Sequence, residues 1–227
     1  MAKKEEKQTV VENPDALKDK LVGAEAWIEE NPKVIGGIVV VIILLAGGFF
    51  GYRWWIDKQD LVAQQEMFQA VRYFEADSLD LAMNGTANVA GFDNIIKEYG
   101  NTPAANLANY YAGVISLKQG KFPLAVFYLK DFKAKDLLVQ ARAYSLLGDA
   151  YMEQNDYANA ADAYHKASTY NPNKYFTPTY LMKEALAYEK LNQNDKAIAA
   201  YDRIIKEFWD ATEVPTAKKL KARLEAA

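Results

Sequence analysis

The sequence contains no cysteine and a single histidine, His165. Without thiols the chain makes no disulfide, no thiolate metal centre, no cysteine nucleophile and no lipidated cysteine anchor. No glycine-rich phosphate loop follows a strand, because Gly36-Gly37 and Gly47-Gly48 lie inside a long apolar run. Aspartates and glutamates are spread at helical spacing, as on solvated helix faces, with no evident carboxylate pair. No catalytic constellation emerges, and catalytic, cofactor and metal sites are all expected to be absent. Charge of one sign is also lacking. The net charge is −3, and residues 57–227 hold 20 Lys/Arg against 22 Asp/Glu with no basic stripe. Nucleic acid is therefore not an expected partner.

What the chain does have is an uncharged run from Val34 to Tyr52, VIGGIVVVIILLAGGFFGY. As a helix its 19 residues rise roughly 1.5 Å each, enough to cross a bilayer core of about 30 Å. A core helix of that length would carry a polar face, and this run has none. Tyr52, Arg53, Trp54 and Trp55 form an interfacial belt of aromatics with a cation that can snorkel. The run is longer than the apolar region of a secretory signal and begins well into the chain. A retained transmembrane helix is expected over 34–56. Gly36, Gly47 and Gly51 fall near one helical line, a face that lets another helix approach closely.

Before the span, residues 1–14 are charged and poor in large apolar side chains, which predicts a tail without fixed structure. From Asp15, the residues Leu17, Leu21, Ala24, Trp27 and Ile28 recur at helical spacing opposite Lys18, Lys20, Glu25 and Glu29. A short amphipathic helix ending at Asn31-Pro32 is expected in this segment of residues 1–33, lying on the membrane or on a partner. Basic residues near the span are balanced, with Lys18, Lys20 and Lys33 before it and Arg53, Lys58 and Arg72 after it. Lys3, Lys4 and Lys7 tip the count toward a cytoplasmic N-terminus.

From Leu61 onward alanines and large residues recur at three and four, broken at Asn-Gly, Asn-Thr-Pro, Gln-Gly-Lys and Asn-Pro-Asn. Phe92-Asp-Asn-Ile-Ile-Lys-Glu-Tyr99 parallels Tyr201-Asp-Arg-Ile-Ile-Lys-Glu-Phe208, which signals internal repetition. The clearest unit, 141–174, has Leu147-Gly148, Tyr151, Ala160, Tyr164, Ala167 and Pro172. At these spacings it looks like a tetratricopeptide repeat. Small Gly148 and Ala160 allow two helices to cross, the tyrosines fill space, and Pro172 stops the second helix. Further units are expected near 106–139 (Ala112-Gly113, Gly120, Phe122, Ala125), 178–211 (Ala185, Tyr188, Ala197, Tyr201) and, degenerately, 69–102 (Ala76, Phe92, Ile95). Residues 212–227 read as a capping helix, with Leu220 and Leu224 packed and Lys218, Lys219, Lys221 and Arg223 in water. The fold class is all-α: one transmembrane helix, then a helix-pair solenoid of about four repeats in residues 57–227, then the cap. His165, just past Tyr164 on an outer helix, is expected to be solvated.

The repeat register places a peptide groove on the first helix of each unit. It names Tyr73, Asp77, Tyr110, Val114, Leu117, Arg142, Ser145, Asp149, Met152, Met182 and Leu186. This mixture of aromatic, aliphatic and methionine side chains suits an extended apolar peptide. Repeats that grip acidic chaperone tails carry Lys and Asn at fixed inner positions. Tyr73, Asp77, Tyr110, Val114, Ser145 and Asp149 stand there instead, so that clamp is not expected.

The order of parts carries a second likeness. A tail, a Gly-containing span ending in Trp-Trp, a long first helix, Leu81-Ala-Met-Asn-Gly85 and Tyr99-Gly-Asn-Thr-Pro103 together resemble the YfgM family of bacterial inner-membrane proteins. The resemblance implies a periplasmic repeat domain that associates with the SecYEG translocon beside a PpiD-like membrane chaperone and assists secreted chains as they emerge. Two other arrangements remain open on the residues alone: a structural subunit of another envelope assembly, and a cytosol-facing tethered scaffold.

Overall fold

Pro32 opens the first long helix because a proline at the first helical position forfeits only an N–H that would be unpaired anyway. The computed structural model describes Lys18, Val22, Trp27 and residues 29–226. The expected tail of residues 1–14 lies outside the described residues, as does most of the amphipathic segment from Asp15. Asn31 interrupts the helix, and its side-chain amide donates to the Trp27 carbonyl at 2.9 Å. Helix α1 (Pro32–Glu75) follows. The chain divides into a unit ending at Trp55 and a second running from Ile56 onward.

In the first unit the α1 stretch 32–55 buries no residue. It is long and apolar enough to cross a membrane. Leu44, Leu45, Phe49 and Phe50 are all exposed. Nothing lies within 4 Å of where a side chain on Gly36, Gly47 or Gly51 would project.

The second unit is a series of helix pairs. Its part of α1 packs with α2 (Leu79–Asn84), α3 (Phe92–Glu98) and α4 (Pro103–Lys118) around Ala63, Met67, Ala70, Phe92 and Ile95. Then come α5 (Phe122–Asp131), α6 (Leu137–Glu153), α7 (Tyr157–Thr169), α8 (Thr177–Lys190), α9 (Asn194–Glu207) and α10 (Val214–Glu225). Each helix packs chiefly on its neighbours in sequence. The apolar interior is accordingly a row of clusters rather than one core, the last joining α8, α9 and α10.

Alanine makes the close crossings possible. Ala105, Ala112, Ala125, Ala160, Ala185 and Ala197 are fully buried. At Gly148 even a methyl is too large, since a Cβ there would sit 2.5 Å from the Tyr164 ring.

Four chain reversals share one turn. Asp77, Gly120, Asn155 and Asn192 have φ of 54°, 71°, 58° and 56°, the left-handed region that Gly, Asn and Asp tolerate. The following amide returns to the carbonyl five residues back: Ser78 to Tyr73, Lys121 to Ser116, Asp156 to Tyr151 and Gln193 to Tyr188, at 2.8–2.9 Å. These bonds satisfy carbonyls that the helix end would otherwise leave open. At the other end, Thr102 and Asp136 cap α4 and α6 through their side-chain oxygens.

The first pair departs from the repeat pattern. The break expected at Asn84-Gly85 is a small antiparallel hairpin, with Gly85 opposite Ala90 and Thr86 opposite Val89. Gly85, at φ 74°, lets the chain turn out of α2 into it. The cap also differs in detail from expectation. Leu220 and Leu224 pack on the last cluster. Lys221, however, pairs with Asp202 at 2.6 Å, and Arg223 bonds Glu189, so neither is a free solvated charge.

Candidate partner-binding groove

The first helices of the pairs, α4, α6 and α8, carry most of the residues named for the groove, and the structure distributes them unevenly. Tyr73 is half-buried against the first cluster. Asp77 stands at the left-handed turn rather than on a helix face, and its carboxylate meets Lys118 at 2.7 Å. Tyr110 packs on the Phe132 ring, centroids 5.2 Å apart. Val114 and Leu117 are half-buried on α4, as is Met152 on α6, while Arg142 is exposed.

The middle of the array is closed by polar contacts. Lys183 Nζ reaches both Asp149 carboxylate oxygens at 2.8 Å and the Ser145 hydroxyl oxygen at 3.4 Å. Tyr164 donates its hydroxyl to Asp149 Oδ1 at 2.7 Å. Ser145 is buried. Burial first, then the Asp149 charge, raises the Tyr164 pKa far above its usual value. Asp149 is thus occupied in joining α6, α7 and α8. Lys183 was not among the residues named from sequence. It lies next to the Met182 position, and no periodicity signals that it pairs across two helices.

At the C-terminal end the surface opens. Met182 and Leu186 of α8 face Leu220 and Arg223 of α10 across a cleft of about 350 Å³, with Thr179, Lys183, Glu189 and Tyr201 also in its walls. Leu186 is nearly half exposed. Tyr201 donates to Glu189 at 2.6 Å, and Glu189 also takes Arg223, so the charged groups at the rim are neutralised in place. The cleft floor can therefore accept an apolar side chain without stranding a charge. A larger cleft beside the hairpin is lined by Gln65, Glu66, Gln69, Asn88, Asn94 and other polar groups, and offers little apolar surface.

His165 is exposed, as expected, but is not merely solvated. Its Nδ1 lies 2.8 Å from Glu184 Oε1. Glu184 is a buried carboxylate rather than part of a solvated face, and it also accepts the Ser168 hydroxyl at 2.7 Å. These contacts tie α7 to α8. Among the described residues no group of three or more His, Cys, Asp or Glu side chains is arranged to hold a metal ion. At the span end, Tyr52, Arg53, Trp54 and Trp55 are all exposed, and the Tyr52 and Trp55 rings lie 6.1 Å apart.

Successive helix pairs with small residues at each crossing, a common left-handed turn and a terminal capping helix define an all-α solenoid. A family model described as tetratricopeptide repeat matches residues 128–175 and again residues 145–212, the stretch that holds α6 to α9. Such repeats ordinarily serve as protein-binding scaffolds rather than enzymes. No curated protein matches the chain.

Proposed function

We propose that this protein is a single-span, membrane-anchored tetratricopeptide scaffold that holds protein partners beside the membrane. The observation that carries the reading is the union of two features in one chain. A wholly exposed apolar helix has no burial partner in water, and a repeat array ends in an unfilled apolar cleft at Met182, Leu186 and Leu220. Tyr52, Arg53, Trp54 and Trp55 would then lie at headgroup level.

In the finer form of the proposal, the N-terminus is cytoplasmic and the repeat domain faces the periplasm of a bacterial inner membrane. The span's glycine face at Gly36, Gly47 and Gly51 meets a helix of the SecYEG translocon or of a PpiD-like membrane chaperone. The array, over Tyr73, Tyr110, Val114, Leu117, Arg142, Met152, Met182 and Leu186, receives partner or nascent chain as a chaperone-like adaptor. The likeness in order of parts to the YfgM family supports this form, and the array's near-neutral charge fits a partner other than nucleic acid.

Purification of the full chain from native membranes in mild detergent tests it, with bound proteins identified by mass spectrometry. Recovery of translocon subunits with a membrane chaperone is expected. Gly47→Leu together with Gly51→Leu should abolish that recovery and leave insertion intact. Recovery of a different fixed envelope assembly would retain the scaffold and discard the secretion role. Protease added to intact spheroplasts should digest the repeat domain, and protection would reverse the orientation.

A further inference from the structure

The loops between helix pairs fall into two sets with opposite chemistry. The reversals at 119–121, 154–156 and 191–193 expose no large apolar side chain. The first turn of α6 and the loops that lead into α8 and α10 expose Leu137 and Leu138, then Tyr175 and Phe176, then Trp209. Tyr175 and Trp209 are each 75% exposed.

Hydrogen bonds join these loops into one rim. Asp60 accepts from the Ala104 amide at 2.7 Å, fastening the start of α4 to the first turns of the unit. Asn106 exchanges two bonds with the Lys133 backbone, at 2.8 and 2.9 Å. Tyr170 donates to the Ala134 carbonyl at 3.5 Å, and Thr179 to Glu213 at 2.6 Å. The rim therefore starts at Asp60, four residues after the chain enters the repeat unit at Ile56.

Lysines accompany the apolar pairs. Lys133 and Lys135 precede Leu137, and Lys174 precedes Tyr175, with its Nζ 5.4 Å from the Tyr175 ring centroid. None of the three engages a carboxylate among the described residues. Asp136 caps α6, and Glu213 is held by Thr179. Asp210, beside Trp209, is an exposed acid on this rim.

We infer that this rim is a lipid-headgroup docking surface: Leu137, Leu138, Tyr175, Phe176 and Trp209 insert at the interface of an anionic bilayer while Lys133, Lys135 and Lys174 meet its phosphates. Aromatic rings and free lysines together are the composition of an interfacial anchor. A lipid surface fits better than a protein groove because the five side chains are exposed on loops and at the first turn of α6, and none lines a cleft. The inference rests on the reading of Val34–Tyr52 as a membrane span, which keeps the rim near a bilayer at high effective concentration. Few apolar residues contribute, so the docking is reversible.

Because the chain has no cysteine, any introduced one carries a label uniquely. The full chain, reconstituted into vesicles of phosphatidylglycerol and phosphatidylethanolamine containing brominated lipid, is labelled with an environment-sensitive fluorophore in three variants. Phe50→Cys reports the span, Thr212→Cys the rim, and Gln193→Cys the opposite reversals. Quenching is expected at residues 50 and 212 and not at 193. It should disappear from residue 212 when Leu138, Tyr175 and Trp209 are changed to serine, with helicity unchanged by circular dichroism. Quenching at 50 with none at 212 overturns the rim proposal alone and leaves the apolar loops to a protein partner. No quenching at 50 overturns the span reading and the rim proposal with it. Equal quenching at 212 and 193 also overturns the proposal, because contact would then be unspecific.

Discussion

The ring of Tyr164 fills the space that a side chain on residue 148 would need, its Cε1 2.5 Å from the position of a Cβ. The ring cannot retreat, because its hydroxyl is bonded to Asp149 and it is buried among Tyr151, Ala160 and Ala187. Gly148→Ala should therefore lower stability by about 1–3 kcal/mol, read from the shift in denaturant midpoint at constant slope. The aligned place in the preceding pair, Gly113, meets the same conflict, its Cβ position 2.5 Å from the Leu129 side chain, whereas the last pair accepts the fully buried Ala185 there. Glu184 makes a different kind of demand. Replacing it with alanine removes the nearer of two acceptors of the buried Ser168 hydroxyl, leaving the His165 carbonyl at 3.1 Å, and should destabilise by about 1 kcal/mol, whereas Glu184→Gln keeps an amide acceptor and should cost less. Thermal unfolding of the two variants side by side checks the order.

At the scale of the element, α10 holds to α9 through Leu220, Leu224 and the Lys221–Asp202 pair. Hydrogen bonds from Lys221 and Lys206 hold the Asp202 carboxyl below its usual range. A depressed acid contributes stability that is present above its usual pKa of 3.8 and is lost as pH falls through the lower, folded value. Amide exchange in α10 should therefore accelerate below about pH 4, and Lys221→Ala should flatten that dependence. The helix pairs themselves were legible in the sequence wherever small and large residues alternate at fixed offsets, as at Gly148, Ala160 and Tyr164. The hairpin at 85–90 was not, because two-residue strands are too short to show alternation. Asp77 was assigned to a helix face by carrying an ideal register into the first pair, yet the left-handed turn claims it. The closure of the groove at Asp149 also escaped, since Lys183 reaches it from 34 residues away and pairings of that kind leave no mark on periodicity.

For the whole molecule, buried tyrosines set an alkaline limit. Tyr128, Tyr164 and Tyr201 donate to Asp93, Asp149 and Glu189. Burial first, and then the neighbouring carboxylate, pushes Tyr128 up to about 12, and Tyr164 and Tyr201 are raised further. The folded state therefore keeps these protons after the unfolded chain releases them near pH 10. Their contribution is complete below that value and falls as pH rises toward the folded values. The last part of the rise in tyrosinate absorbance, which belongs to these three side chains, should coincide with loss of helicity. The cleft at the C-terminal end predicts a functional separation. Met182→Ser with Leu186→Ser should weaken partner capture in a pull-down while leaving the melting temperature within a few degrees, because both side chains are only partly buried.

The contacts of the repeat unit run from each helix chiefly to its sequence neighbours, and its apolar interior is divided into separate clusters. A tensile load along such a chain meets no single clasp that must break before everything else. Stretched between its ends, the array should lengthen in successive increments, each the release of one helix pair, and recoil through the same increments when the load is removed. A scaffold with that elasticity can yield to a load on a bound partner and regain its shape when the load is removed.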